Sequence, residues 1–274
     1  MISLAPSLLS APPPKPLTVA IYYGYPSLVN GAKGDLEKAA RTFDAYRLVV
    51  IGDGLEFPNH PDHNNVVRLL RKLKNSRVFG YICIGSSQNL PLDEVQRRVL
   101  AWKQTGVHGI FLDEAGNDFD VSHERREQII DIVHSTNSSV FINAFQPSDV
   151  FAKGTHLRSG DLFLLESFLV RNGKLDNSTL MNSRLQTARQ FRDRYKVGLV
   201  GVTTTSGSFS PDLYQAACSA ARRASLDGMG WGEPNFSSSS NELSEVFVCR
   251  QDYPRGIEGD TESHTGPLTA GVQR

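Results

Sequence analysis

The sequence predicts an α/β protein built as a single closed (β/α)8 TIM barrel, and three observations support this fold class. Eight short runs rich in Val, Ile, Leu and Phe alternate with segments of helical periodicity. Most runs begin roughly 30 residues after the previous one, the length of a strand, a crossover helix and two loops. After the first run, the chain from Tyr22 to Pro26 lacks the glycine-rich turn of a nucleotide-binding open sheet. A closed barrel is therefore favoured over an open doubly wound sheet.

The eight runs are the predicted strands. Their ranges are Thr18 to Tyr23, Tyr46 to Ile51, Val78 to Ile84, Gly109 to Asp113, Ser139 to Asn143, Asp161 to Glu166, Val197 to Val202 and Leu226 to Trp231. Four intervening segments carry the apolar repeat of an amphipathic helix. Their repeats are Val66, Leu69, Leu70 and Leu73; Leu92, Val95, Val99 and Trp102; Leu185, Ala188, Phe191 and Tyr195; and Leu213, Ala217, Ala220 and Ala224. The connection after the fifth strand, from Asp149 to Lys153, offers barely one helical turn.

Length and charge limit both the organisation of the chain and its partners. At 274 residues, the chain falls in the range that one α/β barrel occupies. Lys plus Arg and Asp plus Glu each number 29, so no net charge attracts the protein to nucleic acid or to an anionic membrane. No run approaches the roughly 18 apolar residues of a membrane span. We expect a neutral or locally recognised ligand, and no nucleic acid or membrane partner.

Three segments are predicted. Residues 1–17 are a loose leader that includes three consecutive prolines, residues 18–249 are the barrel, and residues 250–274 are a flexible, disordered tail rich in Pro, Gly, Ser, Thr and charge. The leader has no basic region before its apolar patch, so it does not match a signal peptide. We therefore expect a cytoplasmic location, with secretion as the alternative.

Cysteine and histidine spacing predicts neither a disulfide framework nor a metal site. Cys83, Cys218 and Cys249 are odd in number and far apart in sequence, so unlinked thiols are expected. His60 and His63 follow the second predicted strand, but no third histidine stands at another strand end. We therefore expect no metal and no cofactor.

Three carboxylates lie where the barrel would place its chemistry. Strands of such a barrel are buried, so a polar residue at a strand's carboxyl end faces the mouth where ligands bind. The fourth strand is apolar until Asp113, which Glu114 follows, and the sixth is apolar until Glu166. Burial and mutual repulsion separate the pKa values of neighbouring carboxyl groups, so one can act as an acid while another stays ionised. Glycoside hydrolysis needs such a pair.

Other residues at the predicted strand ends suit a carbohydrate. Aromatic faces cover the C–H surface of a sugar, while amides and carboxylates bind its hydroxyl groups. The candidate substrate-binding residues are Tyr23, Tyr25, Asp53, Asn143, Trp231 and Glu233. Core packing is the alternative role for the aromatic residues, and a turn is the alternative for Asp53.

One of these motifs resembles a known family. Trp102 followed by the segment Gly106 to Glu114 is similar to the core motif of spherulin-4-like glycoside hydrolases and, more loosely, of the endo-α-1,4-polygalactosaminidase group of TIM barrels. The segments Phe141 to Asn143, Leu164 to Phe168 and Ile21 to Pro26 are similar in kind, so the resemblance covers residues 18–235.

The resemblance implies hydrolysis of polymers of α-1,4-linked galactosamine or N-acetylgalactosamine. It matches Asp113, Glu114 and Glu166 to the family's catalytic acids and implies no metal cofactor. An endo-acting, retaining glycoside hydrolase is therefore expected, with Asp113 or Glu114 as the acid. The alternative is a catalytically inactive barrel that binds carbohydrate or serves as a scaffold. An aldolase would need a Schiff-base lysine at a strand end, and the eight predicted ends carry none.

Overall fold

Eight parallel strands close into a barrel in the computed structural model, which describes residues 14–238, 240–246 and 248–249. The barrel strands are β1 (Leu17–Tyr22), β2 (Leu48–Ile51), β3 (Arg77–Cys83), β4 (Gly109–Asp113), β5 (Ser139–Asn143), β6 (Leu162–Glu166), β9 (Gly198–Val202) and β10 (Gly228–Gly230). The short strands β7 (Val170–Arg171) and β8 (Lys174–Leu175) form an antiparallel hairpin after β6. The prediction of a closed (β/α)8 barrel is confirmed.

The ring closes between the first and last strands. Val19 of β1 pairs with Leu48 of β2 on one side and with Gly230 of β10 on the other. All pairings in the barrel are parallel, and the remaining barrel strands follow chain order around the ring. Each strand end from Tyr22 to Gly230 therefore lies at one mouth of the barrel.

Seven α-helices of the described part of the chain cover the barrel. They are α1 (Leu36–Phe43), α2 (His63–Leu70), α3 (Leu92–Thr105), α4 (His123–Ser135), α5 (Pro147–Phe151), α6 (Thr179–Tyr195) and α7 (Pro211–Arg223). The apolar repeats predict α2, α3, α6 and α7, and α5 is as short as expected. The helices α1 and α4 were missed, although Asp35 and Ser122 cap them by accepting hydrogen bonds from backbone N–H groups of the first turn.

The core has two layers, and strand alternation separates them. Phe79, Phe111 and Phe141 point into the barrel, where Phe111 and Phe141 meet edge to face with ring centroids 5.1 Å apart. Ile110 and Leu112, on the opposite face of β4, pack beneath the helices. Since Phe111 faces inward, Asp113 two residues later does so too, above the aromatic layer.

One glycine sets how closely a helix approaches the barrel. A Cβ atom at Gly80 of β3 would lie 2.2 Å from the ring of Trp102 on α3. The indole Nε1 of Trp102 also donates to the carbonyl of Tyr81, at 3.0 Å. The missing side chain therefore lets α3 rest directly on the strand, which fixes the helix relative to the mouth of the barrel.

After β10, the described residues contain a short 3-10 helix (Pro234–Ser237) and a segment without regular secondary structure, rather than an eighth long helix. In residues 240–246, Leu243 exchanges two hydrogen bonds with the side chain of Asn30, at 2.9 and 2.7 Å. The side chain of Asn241 accepts from the backbone N–H of Tyr25, at 2.8 Å. The segment thereby binds the chain that follows β1.

A disulfide joins the end of this segment to α7. Cys218 lies on α7, and its Cα is 5.4 Å from that of Cys249. The expectation of unlinked thiols was wrong for this pair and correct for Cys83, which is free and buried. Sequence spacing missed the link because the two cysteines, 31 residues apart, meet only after the barrel has closed.

The predicted leader and tail lie largely or wholly outside the described residues. Only 14–17 of the leader are described, with β1 beginning at Leu17, and the whole of 250–274 falls outside. The segment boundaries therefore stay predictions. Across the residues that the structure does describe, none of the helices has the length and apolar character of a membrane span.

Replacing Cys218 or Cys249 by serine should lower the free energy of unfolding by roughly 2–4 kcal/mol, because the link closes a loop of intermediate length. Urea denaturation of the oxidised protein measures this change. Each single variant and the double variant should lose the same amount, since either substitution breaks the same bond. Three titratable thiols in the unfolded but unreduced wild type would contradict the disulfide.

Candidate active site

A cavity of about 360 Å³ opens at the carboxyl ends of the strands. Residues from β1, β4, β5 and β6 form its floor, and the loops that follow β4, β5, β6 and β10 form its rim. Its lining includes Tyr23, Asp113, Glu114, Asp118, Asn143, Phe145, Glu166, Arg171 and Phe236. The three predicted acids thus share one opening, together with Tyr23 and Asn143.

The amide of Asn143 joins two of the acids. Its Nδ2 donates to Asp113 Oδ1 at 2.9 Å and to Glu166 Oε2 at 3.0 Å. The three residues end the neighbouring strands β4, β5 and β6, so parallel pairing brings them side by side. One nitrogen therefore fixes both carboxyl groups at a short separation.

Asp113 has a perturbed pKa. Burial raises its pKa to about 6, and the charge of Glu166 acts in the same direction. Hydrogen bonds from Asn143 and Tyr81 oppose this rise, and the Tyr81 hydroxyl lies 3.0 Å from Asp113 Oδ2. Near neutral pH, Asp113 can consequently exchange a proton.

Two tyrosines keep their protons beside Asp113. The rings of Tyr23 and Tyr81 meet edge to face at 5.0 Å. Burial, followed by the charge of Asp113, raises the pKa of both hydroxyl groups well above the usual value of 10.0. Both groups remain hydrogen-bond donors at any pH at which the protein would act.

Glu114 reaches the cavity from a strained backbone position. Its φ of 54° lies in the left-handed region, which non-glycine residues adopt only when their surroundings hold them there. The backbone N–H of Ser87 donates to its Oε2 at 3.2 Å, the Ser87 hydroxyl donates to Oε1, and the Cys83 thiol donates to Oε2 at 3.2 Å. Burial raises the pKa of that thiol to about 12, so it stays a donor. A Cβ at Gly85 would lie 2.6 Å from that of Glu114.

A buried arginine supports the other side of the cavity. Arg184 of α6 is only 2% exposed, and it donates through Nε to the carbonyl of Phe145 at 2.7 Å and through Nη1 to the carbonyl of Glu166 at 3.0 Å. Its guanidinium also stacks 4.2 Å from the centroid of the Phe145 ring. Burial lowers the pKa of Arg184 to about 10, so the group stays cationic. It ties the ends of β5 and β6 together.

Two of the remaining candidates are part of the surface or of the core. Tyr25 is 41% exposed and its ring meets that of His60 at 5.2 Å. Trp231 is buried and packs edge to face against Phe209 at 5.1 Å. Neither lines the cavity, and their binding role stays a prediction.

The last two candidates lie in other networks. Asp53 pairs with Arg98 of α3 and accepts from Gln88 Nε2 at 2.9 Å. Glu233 accepts from the backbone N–H of Ser244 at 2.6 Å and lines a second cavity of about 720 Å³ beside the loop that precedes α7. A binding role for either residue would need a ligand that extends beyond the first cavity.

Sequence reasoning missed several residues that shape the cavity. Tyr81 could have been found, because Phe79, Tyr81 and Cys83 alternate on β3 as Phe111 and Asp113 do on β4. Arg171 lies in the short hairpin after β6, and Phe236 and Ser87 lie in connections whose paths no periodicity predicts. Among the described residues, no group of three or more His, Cys, Asp or Glu side chains is arranged to hold a metal ion.

Comparison with known proteins identifies the fold. No protein-family model and no curated protein matches the chain. The glycoside hydrolase domain of PelA from Pseudomonas aeruginosa superposes with a TM-score of 0.52 at 12% identity, covering 83% of this chain and 99% of that domain. The carboxyl transferase domain of Rhizobium etli pyruvate carboxylase gives a TM-score of 0.52 at 10% identity, covering 80% of this chain and 40% of the other. At such identities the likeness shows the barrel fold alone.

Asp113→Asn should stabilise the protein at neutral pH and have little effect at pH 4. The folded chain raises the pKa of Asp113 from 3.8 to about 6. The contribution of this carboxyl group to the stability of the wild type is therefore fully present below pH 4 and is lost as the pH rises through 6. Asparagine has no such dependence. Between pH 4 and pH 8, the unfolding free energy of the variant should gain roughly 2–3 kcal/mol on that of wild type.

Denaturation at the two pH values measures this gain. Asp118→Asn, which changes an exposed acid on the rim of the same cavity, is the matched control and should show no comparable pH-dependent gain. An equal gain in both variants would contradict a specific cost of ionising Asp113.

Proposed function

We propose that this protein is a glycoside hydrolase that cleaves an amino-sugar polysaccharide of the galactosamine or N-acetylgalactosamine type. The observation that carries the proposal is the pair of carboxyl groups, Asp113 and Glu166, that Asn143 holds together in a cavity at the carboxyl end of the barrel. Active sites of this fold occupy that end. Among proteins with a similar fold is a domain described as a glycoside hydrolase.

The two carboxyl groups suit different roles in the reaction. Asp113, with its pKa near 6, donates a proton to the glycosidic oxygen as the bond to the anomeric carbon breaks. Glu166 faces the positive charge that develops on the sugar ring, or bonds to the anomeric carbon. Water then completes hydrolysis and returns the proton to Asp113. With an N-acetylated substrate, the acetamido oxygen can take the place of the attacking carboxylate.

The separation of the carboxyl groups favours retention of configuration. The nearest oxygens of Asp113 and Glu166 are at most roughly 6 Å apart, because each lies within 3.0 Å of the same nitrogen. Retaining glycosidases hold their carboxyl groups about 5–5.5 Å apart, and inverting enzymes about 6.5–9.5 Å apart to admit a water. The bound on the nearest oxygens is closer to the separation in retaining enzymes, which supports retention.

The cavity wall supports an amino sugar as the substrate. Tyr23, Phe145 and Phe236 offer aromatic surface for the C–H faces of a sugar ring. The acidic lining residues Asp113, Glu114, Asp118 and Glu166 outnumber the single cation, Arg171. A protonated amino group is therefore attracted, and Glu114 at the edge of β4 is placed to bind it or to act as the acid instead of Asp113.

The disulfide supports secretion, the alternative to the expected cytoplasmic location. Structural disulfides persist in oxidising compartments and are rare in the cytosol of most cells. Cys218 and Cys249 join α7 to the segment that follows the barrel. Secretion also agrees with the proposed substrate, because enzymes of the group that the sequence resembles act on secreted or cell-wall polysaccharides.

Asp113→Asn and Glu166→Gln should each lower kcat on a polymer of α-1,4-linked galactosamine by two to four orders of magnitude, with the N-acetylated polymer tested in parallel. Each substitution removes a group needed in the transition state but preserves shape, so KM should change much less. Glu114→Gln should also lower activity, and its effect relative to Asp113→Asn identifies the acid. Release of reducing ends measures the rates.

Glu124→Gln is the matched control, because it changes an exposed acid of α4 outside the cavity. Full activity in all three active-site variants would refute the proposal. Stabilisation of the wild type by the polymer, with no release of reducing ends, would support a carbohydrate-binding barrel without catalysis instead.

A further inference from the structure

We propose that Arg98, which lies outside the cavity on α3, is a positioning residue for Glu114. It holds the loop between β3 and α3 (residues 84–91), and Ser87 in that loop holds the Glu114 carboxylate. The catalytic part of this inference rests on the hydrolase function proposed above. The structural part, that Arg98 fixes the loop, stands independently of it.

Arg98 connects two loops at the mouth of the barrel. Its side chain is 4% exposed, and its Nε donates to Glu56 Oε1 at 2.6 Å. A second nitrogen binds Asp53 in the same loop after β2, and Nη1 donates to the side-chain carbonyl of Gln88 at 3.1 Å. Gln88 Nε2 in turn donates to Asp53 Oδ2 at 2.9 Å. The guanidinium thus uses its fixed fork geometry to bind three side chains at once.

The residue beside Gln88 carries this constraint to Glu114. Ser87 donates to Glu114 from both its backbone N–H and its hydroxyl. Gly85 of the same loop contacts Glu114 directly, since a Cβ there would lie 2.8 Å from Glu114 Oε2. Ser87 and Gln88 are themselves exposed. Arg125 holds the two ends of the loop through the carbonyls of Ile84 and Leu90. The side-chain contacts of Gln88 with Arg98 and Asp53 act on its middle.

The backbone of Glu114 makes this anchoring necessary. A glutamate with φ in the left-handed region keeps that conformation only where its surroundings hold it. Ser87 and Cys83 supply every hydrogen bond recorded for its carboxylate among the described residues. Release of the loop should consequently allow Glu114 to leave the cavity.

The neighbouring Arg97 provides a matched control. It lies on the same helix and packs over the same ring of Phe57, at 4.6 Å compared with 5.4 Å for Arg98. Its ion pair is with Glu94 on its own helix. Arg97 therefore shares the charge and the aromatic contact of Arg98 without a recorded link to Gln88.

Chemical labelling of Cys83 measures opening of the loop, whether or not the protein hydrolyses a substrate. It is the free cysteine of the described residues, it is buried, and its thiol donates to Glu114 Oε2. When the loop between β3 and α3 opens, the thiol becomes accessible to an alkylating reagent. The labelling rate of Cys83 therefore measures how often Glu114 and its loop are released.

The experiment compares the full-length wild type with Arg98→Met, Gln88→Leu and Arg97→Met under non-reducing conditions. Iodoacetamide labelling of the peptide that contains Cys83 is followed by mass spectrometry, and kcat and KM are measured on the galactosamine polymer. Gln88→Leu keeps the buried pair of Arg98 with Glu56, so it tests the link even if Arg98→Met fails to fold. Loss of the hydrogen bond between Arg98 and Gln88 should raise the labelling rate of Cys83 about tenfold, which is the effect of losing one charge-assisted hydrogen bond. The same loss should lower kcat more than it raises KM.

Arg97→Met should match the wild type in both measurements. Labelling at the wild-type rate in Gln88→Leu and in any folded Arg98→Met would overturn the inference. Faster labelling with unchanged kcat in an active enzyme would refute the catalytic part and leave Arg98 as a loop anchor. If the wild type hydrolyses neither polymer, the proposed function fails, and the labelling rates alone decide whether Arg98 holds the loop.

Discussion

The two hydrogen bonds from the amide nitrogen of Asn143 are the constraint on which the rest of the site depends. They place Asp113 and Glu166 close together although each ends a different strand. Burial, together with the nearby charge of Glu166, then raises the pKa of Asp113 to about 6. The barrel makes this possible because parallel pairing sets the ends of β4, β5 and β6 side by side at the mouth.

Arginines from the outer helices hold the loops that surround this pair. Arg184 binds carbonyls at the ends of β5 and β6, and Arg98 binds side chains of the loops after β2 and β3. Arg126 of α4 donates to the carbonyls of Ala115 and Val121 after β4. A buried guanidinium can satisfy several acceptors at once, so each helix contributes rigidity to the mouth as well as apolar cover to the strands.

The sequence predicted the barrel because the patterns that indicate its strands and its helices are both local. Apolar runs of strand length and amphipathic helices are read within a few residues, and the last apolar residues of β4 and β6 located Asp113 and Glu166. Contacts between segments far apart in the chain could not be predicted from the sequence. The Cys218–Cys249 link, the pairing of Asp53 with Arg98 and the burial of Trp231 each depend on which segments meet once the ring is closed. The burial of Arg184 could not be predicted either, because a charged residue in a helix ordinarily faces solvent.

Titration of the Asp113 carboxyl carbon by ¹³C NMR, with Asp113→Asn to assign the signal, tests the central claim most directly. The Asp113 carboxyl group of the wild type should titrate with a midpoint near pH 6. Glu166→Gln should lower that midpoint, since the charge of Glu166 helps to raise the pKa of Asp113. A wild-type midpoint close to the ordinary value of 3.8, unchanged by Glu166→Gln, would contradict a coupled acid pair at the mouth of this barrel.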